Sequence, residues 1–296
     1  MDTNQTSAVL FTGQGSQKAG MGKAVCDKHP SLLKIFEAGS DILGFDLARL
    51  CFEGGEEELA AAAQPAIMAV SLASFYAALE EGRCFGAVCG HSLGEYSAMT
   101  ASGMLSLEDG FRVIKCRSEA MQRAAEAAGG AMYAVIGKSA EEIAAVCESI
   151  DGYVIPVNYN STAQTVIAGE TEAAAEAAET LSAGGARVIR LAVPAAFHSR
   201  LMQPAAEEFT AAISGISFGR PSLRFYSNLT GCEMTDFDSI VPMLGQHMVS
   251  PVLFTRELEC MYGDGFTDFL ECGPSKVLTA FVKKTLTGVT AEFYTA

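Results

Sequence analysis

The 296-residue chain has little that would take it out of water. No apolar run approaches the ~18 residues that a membrane-spanning helix needs, and Met1-Asp2-Thr3-Asn4-Gln5 offers neither the basic stretch nor the apolar core of a secretory signal. These absences predict a soluble, cytoplasmic protein with no membrane partner. Basic residues are scarce as well. Only 20 Lys and Arg stand against 35 Asp and Glu, a net charge of −15 that argues against a general nucleic-acid binder. The nine cysteines include no C-x-x-C pair, so neither a zinc site nor a disulfide framework is legible, and free thiols in a reducing compartment are expected. A nucleotide-binding turn is refused too. Gly13-Gln14-Gly15 follows the strand candidate Ala8-Val9-Leu10-Phe11-Thr12, but a G-x-G-x-x-G pattern would need glycine where Lys18 stands, and no Walker lysine-serine pair follows.

Apolar residues make up 49% of the chain, ample for a buried core, and their periodicity changes along it. Helical spacing is read at Ser31 to Ile42, from Glu56 through Glu80 with an interruption near Gln64-Pro65, at Glu95 to Ala101 and at Leu107 to Ala127. Gly129-Gly130 ends that regime. Strand, helix, strand, strand, helix and strand then follow at Met132 to Ile136, Ala140 to Ser149, Tyr153 to Val157, Gln164 to Ala168, Thr171 to Ala183 and Arg187 to Leu191. That β-α-β-β-α-β order is the ferredoxin-like unit. The expected fold is therefore α/β: a large α/β-hydrolase-like domain with a parallel sheet over residues 1–128 and 193–296, and an inserted ferredoxin-like small domain over 129–192. Strands near Leu223-Tyr226 and Thr267-Leu270, with a helix from Ser275 to Thr285, return to the large domain.

Gly90-His91-Ser92-Leu93-Gly94 lies between the apolar run Phe85-Gly86-Ala87-Val88-Cys89 and the helical stretch at Glu95. A serine on a tight strand-to-helix turn between glycines is pushed out of the sheet edge as a nucleophile. The same turn aims the N–H of Leu93 at the oxygen that becomes negative on attack. An ordinary glycine-serine loop is the competing reading, and the flanking strand and helix weigh against it. A serine hydroxyl also needs a base. Of the four histidines, His29 precedes Pro30 and reads as a solvated loop residue, His91 should point away from Ser92 into packing or a structural hydrogen bond, and His247 has no further support. His198 follows the last strand of the small domain through Pro194-Ala195-Ala196-Phe197 and precedes a helix start at Ser199-Arg200-Leu201-Met202. That puts it at the junction of the domains, facing the cleft of Ser92, with a buried structural histidine as the alternative. No acid placed to orient it is identifiable, so a Ser92/His198 dyad held by a backbone carbonyl is expected in place of a triad. Arg117 falls on the apolar edge of its helix with Ile114, Ala120 and Met121. A guanidinium there requires either an acid such as Glu119 or a ligand's carboxylate, which its planar fork matches with two parallel hydrogen bonds.

Gly13-Gln14-Gly15-Ser16-Gln17, Gln64-Pro65-Ala66, Gly90-His91-Ser92-Leu93-Gly94-Glu95, Arg117, Asn160-Ser161, Phe197-His198 and Gly273-Pro274 occur in a telling order and spacing. The chain resembles the malonyl-CoA:acyl carrier protein transacylases of bacterial type II fatty-acid synthesis, and the related acyltransferase domains of polyketide synthases, over nearly its whole length. The resemblance implies ping-pong transfer of malonyl from malonyl-CoA to the phosphopantetheine thiol of acyl carrier protein through an ester on Ser92. His198 would act as general base and then acid, with no metal and no bound cofactor. It further implies an oxyanion hole from the N–H groups of Gln14 and Leu93, a carboxylate clamp at Arg117, pocket or support positions at Gln64, Met121 and Asn160, and a malonyl-selecting Phe197. The backbone carbonyl of Gln246 would orient His198. Thr12 departs from the proline that the fatty-acid enzymes often carry there, which bears on subfamily alone. Acyl carrier protein and coenzyme A are acidic, so a local basic patch is expected, with Arg190, Arg200, Lys276, Lys283 and Lys284 as candidates. A free-standing polyketide acyltransferase, a serine esterase or thioesterase that leaves Arg117 without a task, and a non-catalytic scaffold are the alternatives.

Overall fold

A computed structural model describes residues 6–193 and 195–295; the N-terminal stretch Met1-Asp2-Thr3-Asn4-Gln5, Pro194 of the approach to His198, and Ala296 lie outside the described residues. The first apolar run forms strand β1 (Ser7–Phe11). A helical layer follows, made of α1 (Lys23–Lys28), α2 (Leu33–Leu43), α3 (Leu47–Glu53), α4 (Glu56–Ala61) and α5 (Ala63–Glu80). α1 and α3 lie where no helix is expected from the sequence, because two turns are too few for a periodic signal. The break expected at Gln64-Pro65 falls at Ala62 instead, and both residues sit in the first turn of α5. Proline is tolerated there because first-turn N–H groups have no intrahelical acceptor. α5 is buried nearly all round, as an alanine-rich helix through a core should be.

Next come β2 (Ala87–Gly90), α6 (Gly94–Ala101) and α7 (Leu107–Ala128). Ser106 caps α7 by accepting from the Asp109 N–H, with Glu108 and Asp109 against the positive end of the helix dipole. Gly129, at φ 64°, lets the chain leave the helix. Then β3 (Ala131–Ile136), α8 (Ala140–Ser149), β4 (Val154–Ser161), β5 (Gln164–Gly169), α9 (Thr171–Ala183) and β6 (Arg187–Arg190) appear in the order read from the sequence. Their sheet runs β4-β5-β3-β6 with every neighbouring pair antiparallel. α8 and α9 cover one face through Val135, Ile143, Val154, Ile167, Ala174 and Leu181.

The chain returns through α10 (Gln203–Ala212), β7 (Arg224–Ser227), β8 (Cys232–Glu233), α11 (Ile240–Val249), α12 (Phe254–Gly263), β9 (Asp268–Cys272), α13 (Val277–Thr285) and β10 (Thr290–Phe293). The helix expected to start at Ser199 begins with a 3-10 turn, Arg200–Met202, before α10. β8, β10, α11 and α12 have no counterpart in the sequence pattern. The two strands are 2 and 4 residues long, and α11 carries Pro242 and Gly245, which blunt a helical signal.

The larger sheet has the order β10-β9-β1-β2-β7-β8, parallel from β10 through β7, with β8 folding back antiparallel. β1 and β2 are buried on both faces and pair Ala8 with Ala87 and Phe11 with Gly90. The carboxyl ends of β1, β2, β7 and β9 therefore open on one edge, where Thr12, His91, Asn228 and Gly273 follow the strands. Beside that edge the smaller sheet is tied on by main chain: the Val252 N–H donates to the Val157 carbonyl at 2.8 Å and the Tyr159 N–H to the Val252 carbonyl at 2.9 Å. A cleft at the carboxyl ends of parallel strands is where open α/β sheets hold ligands. None of the described helices is long and apolar enough to cross a membrane.

Candidate active site

Close approach of backbones explains the elbow. A Cβ on Gly90 would overlap the backbone of Gly94 and Glu95, and one on Gly94 would overlap the Phe11 carbonyl, so strand and helix meet only with glycine at both places. Between them Ser92 adopts φ 52°. Among the described residues the one other non-glycine residue with positive φ is His198, at 61°. Left-handed backbone costs an ordinary residue about 1–2 kcal/mol. The two strained residues face each other, with Ser92 Oγ 2.7 Å from His198 Nε2.

His198 is buried, and its Nδ1–H donates to the His247 carbonyl at 3.1 Å, which leaves Nε2 bare to accept the Ser92 hydroxyl proton. Burial, and then the charge of Arg117, hold the imidazole down to about 3, so the ring is neutral at physiological pH. The orienting carbonyl belongs to His247, not to Gln246, whose side chain is exposed. Both residues fall in the last turn of α11, where carbonyls lack intrahelical partners, and the one a residue further along is directed at the ring.

Arg117 is 1% exposed, with its guanidinium carbon 5.0 Å from the centre of the Tyr96 ring. Nη1 donates to Gln64 Oε1 at 2.6 Å and Nη2 to Ser92 Oγ at 3.0 Å, while Nε is buried without a partner. No ion pair among the described residues includes it; Glu119 faces Arg123 at 3.9 Å instead. A full charge thus sits beside the Ser92 hydroxyl with neutral partners only. Such a charge is costly until an anion completes it.

The floor of the site holds residues that the sequence argument missed. Asn228 is fully buried just past β7: Oδ1 accepts from the Ser92 N–H at 2.7 Å, while Nδ2 donates to the Gly90 carbonyl at 2.6 Å and to Glu257 Oε2 at 2.8 Å. The Asn228 N–H and the Ser227 hydroxyl donate to the two carboxyl oxygens of Glu95, at 3.2 and 2.9 Å. His247 Nε2 lies 3.3 Å from Asn228 Oδ1 and 3.4 Å from Glu95 Oε2. Burial raises Glu95 to about 7, pushes Glu257 well above the carboxylate range and drives His247 well below the usual imidazole range. A signal did exist for Glu257. It shares one face of α12 with Phe254, Leu258 and Met261, an acid at helical spacing among apolar residues.

These groups open on a cleft of about 490 Å³ whose lining includes Gln14, Ser92, Met121, Asn160, Phe197 and His198. Leu93 is buried at the head of α6, and its N–H has no partner among the described residues. Gln14 is exposed on the loop after β1. Gln64 stands behind the cleft wall, where its Nε2 also reaches Met121 Sδ at 3.5 Å. His91 turns away from Ser92, with Nε2 2.7 Å from Asn160 Oδ1. Thr12 anchors its loop through N–H and hydroxyl bonds to the Cys272 carbonyl, at 3.3 and 3.2 Å, and a proline there would lose the first. His29 is not the solvated residue expected: its ring nitrogens lie 2.7 Å from a Glu80 oxygen and 3.2 Å from a Glu81 oxygen, because its loop packs across the end of α5. Of the five basic candidates, Arg190 lines the cleft and the other four do not; Arg200 stacks on the Tyr153 ring at 4.0 Å.

Residues 9–293 match a family described as acyl transferase domain. The malonyl CoA-acyl carrier protein transacylase of Bacillus subtilis (strain 168) is 37% identical over 283 residues, 94% of this chain and 89% of that protein. The malonyl CoA-acyl carrier protein transacylase from Clostridium perfringens has a crystal structure that superposes with a TM-score of 0.92 at 37% identity, covering 97% of this chain and 92% of that one. PlMCAT, the malonyl-transacylase in complex with the type II PKS acyl-carrier protein AntF, gives a TM-score of 0.91 at 36% identity over 97% of this chain and 94% of its own. With the match running from β1 to β10, the chain belongs to the acyl transferase domain family.

Proposed function

We propose that this protein is an acyltransferase that moves the malonyl group of malonyl-CoA to the phosphopantetheine thiol of acyl carrier protein through a malonyl ester on Ser92. The observation that carries this reading is the buried guanidinium of Arg117, 3.0 Å from the nucleophile and without a carboxylate of its own. A thioester bearing a terminal carboxylate supplies the missing anion; an uncharged acyl group does not. Ser92 passes its proton to His198 Nε2 as Oγ bonds to the thioester carbon. The oxyanion then rests on the N–H groups of Leu93 and Gln14, each worth about 3–4 kcal/mol in comparable sites. Collapse breaks the C–S bond, and His198 returns the proton to the departing thiolate. Binding of the substrate carboxylate to Arg117 offsets one of the two main causes that hold His198 down, so the base strengthens once the right acyl group is in place. The carrier thiol then gives its proton to His198, attacks the ester, and the Ser92 oxygen leaves with that proton.

Gln64 holds Arg117, Met121 and Asn160 shape the cleft, and Phe197 fills the space an α-methyl group would need. The reaction so read uses no metal and no bound cofactor. We assign residues 1–128 and 193–296 to an α/β-hydrolase-like catalytic domain and 129–192 to a ferredoxin-like one, on the strand orders described above, and place the protein in the cytoplasm. Resemblance to the fatty-acid enzymes favours that pathway. The likeness to a polyketide malonyl-transacylase keeps a free-standing polyketide acyltransferase as the second reading.

Mixing the protein with malonyl-CoA should add one malonyl group, mapped by mass spectrometry to Ser92, stable to water and discharged by holo-acyl carrier protein. Rapid hydrolysis without transfer would identify an esterase or thioesterase instead. Arg190→Glu should raise the KM for carrier protein, and comparing carriers from the two pathways separates them.

A further inference from the structure

We propose that Asn228 is a positioning residue of the nucleophile: its carboxamide clamps the elbow on both sides of the strained turn and couples it to the helix that orients His198. This rests on the reading of Ser92 as the attacking group. The Ser92 N–H falls after β2 ends at Gly90 and before α6 begins at Gly94, so neither the sheet nor the helix supplies it an acceptor. Asn228 Oδ1 does so at 2.7 Å, and Nδ2 takes the Gly90 carbonyl at 2.6 Å. One acceptor facing a donor and one donor facing an acceptor leave the carboxamide a single orientation. The side chain therefore braces the two peptide units that flank His91 and hold Ser92 at φ 52°.

Asn228 is held in turn from three other elements. Glu95 of α6 accepts its N–H, Glu257 of α12 accepts from Nδ2, and the His247 ring of α11 contacts Oδ1. His247 is also the residue whose carbonyl orients His198. Through one amide, the backbone of the nucleophile and the support of its base share a common anchor. Reacting groups displaced by about 1 Å lose about 100-fold in rate, which sets the scale of the effect.

Asn228→Asp is nearly isosteric and turns this into a pH-dependent test. Ionised, the new carboxylate accepts from Ser92 but repels the Gly90 carbonyl; protonated, its O–H donates to Gly90 while the other oxygen still accepts, and the clamp is remade. The titratable groups in contact with the position are Glu95 of α6, Glu257 of α12 and His247 of α11; beyond them Cys89 of β2 lies near the two carboxyls, and Arg117 of α7, His198 and His91 near His247. Burial, and the charge of Glu95 once it ionises, disfavour a further anion here, so the new group should titrate above the ordinary Asp range.

The readout is the rate at which a fluorophosphonate labels Ser92, which needs an activated serine but no malonyl group, alongside kcat and KM for malonyl transfer. For Asn228→Asp we expect labelling and kcat to fall about 10- to 100-fold at pH about 8, with KM for malonyl-CoA changed less than about two-fold, and to recover toward the parent at pH about 5.5. His198 stays neutral over that range, so the parent keeps its base. Asn228→Ser cannot bridge both groups and should be slow at both pH values, which covers the case in which the aspartate variant does not fold. Parent-like labelling by either variant at pH about 8, or a loss that acid does not relieve in an Asn228→Asp variant that keeps the parent's circular dichroism and melting transition, would overturn the clamp. A parent that labels normally yet transfers no malonyl would sink the functional reading and leave the clamp standing.

Discussion

Arg117→Ala removes the feature on which the proposed substrate choice turns. In the free enzyme the guanidinium bonds Gln64 Oε1 at 2.6 Å and Ser92 Oγ at 3.0 Å, and its unpaired Nε leaves capacity for a carboxylate. Two charge-assisted hydrogen bonds to a malonyl carboxylate are worth about 1.5–3 kcal/mol each, so their loss should lower kcat/KM for malonyl-CoA by about 10²- to 10⁴-fold. The same substitution also deletes the bond to Ser92 Oγ and relieves His198 of a positive neighbour, and both effects reach every acyl donor alike. The malonyl-to-acetyl ratio cancels them. In a mixture of malonyl-CoA and acetyl-CoA, the acyl-Ser92 adducts counted by mass spectrometry should shift from almost wholly malonyl toward acetyl, since an uncharged group no longer strands a buried cation. An unchanged ratio, with both donors slowed equally, would mean that Arg117 serves the serine and not the substrate.

Phe197→Ser should open the cleft wall by enough to admit an α-methyl group, raising kcat/KM for methylmalonyl-CoA relative to malonyl-CoA by about 10-fold, the worth of one methyl in a tight pocket; no gain in a competition assay discards the steric account. Glu95 gives a prediction about stability. Burial holds its carboxyl at about 7 in the folded protein against an ordinary 4.5, so the folded state binds the proton more tightly and stability is lost as pH rises through that window. Glu95→Gln does not titrate. Urea unfolding at pH about 5 and about 8 should move the stability difference toward the variant by roughly 2–3 kcal/mol, and a difference independent of pH would show Glu95 to be ionised throughout.

Much of the site was legible in the chain because its signals are local. The glycines at 90 and 94 and the serine between them are a statement about one turn, and backbone clashes at both positions leave no other residue possible. The β-α-β-β-α-β order over β3 to β6 could be read for the same reason, since each element carries its own periodicity. Even so, some elements escaped: β8 and β10 are only 2 and 4 residues long, and α11 carries Pro242 and Gly245, which blunt its helical signal. The assembly of the floor of the site was beyond reach for a different reason, even though Glu257 by itself stands out on α12. Asn228, Glu257 and His247 lie 136, 165 and 155 positions from Ser92 in sequence and meet it only because β7 pairs with β2 and α11 and α12 pack behind them. The choice of His247 over Gln246 as the orienting carbonyl depends on one residue's rotation about a helix axis, which composition does not encode. Residue identity determined which groups could attack, accept a proton or hold an anion; tertiary packing decided their distances, their protonation and what braces them, because burial and nonlocal contact exist only once the chain has closed on itself.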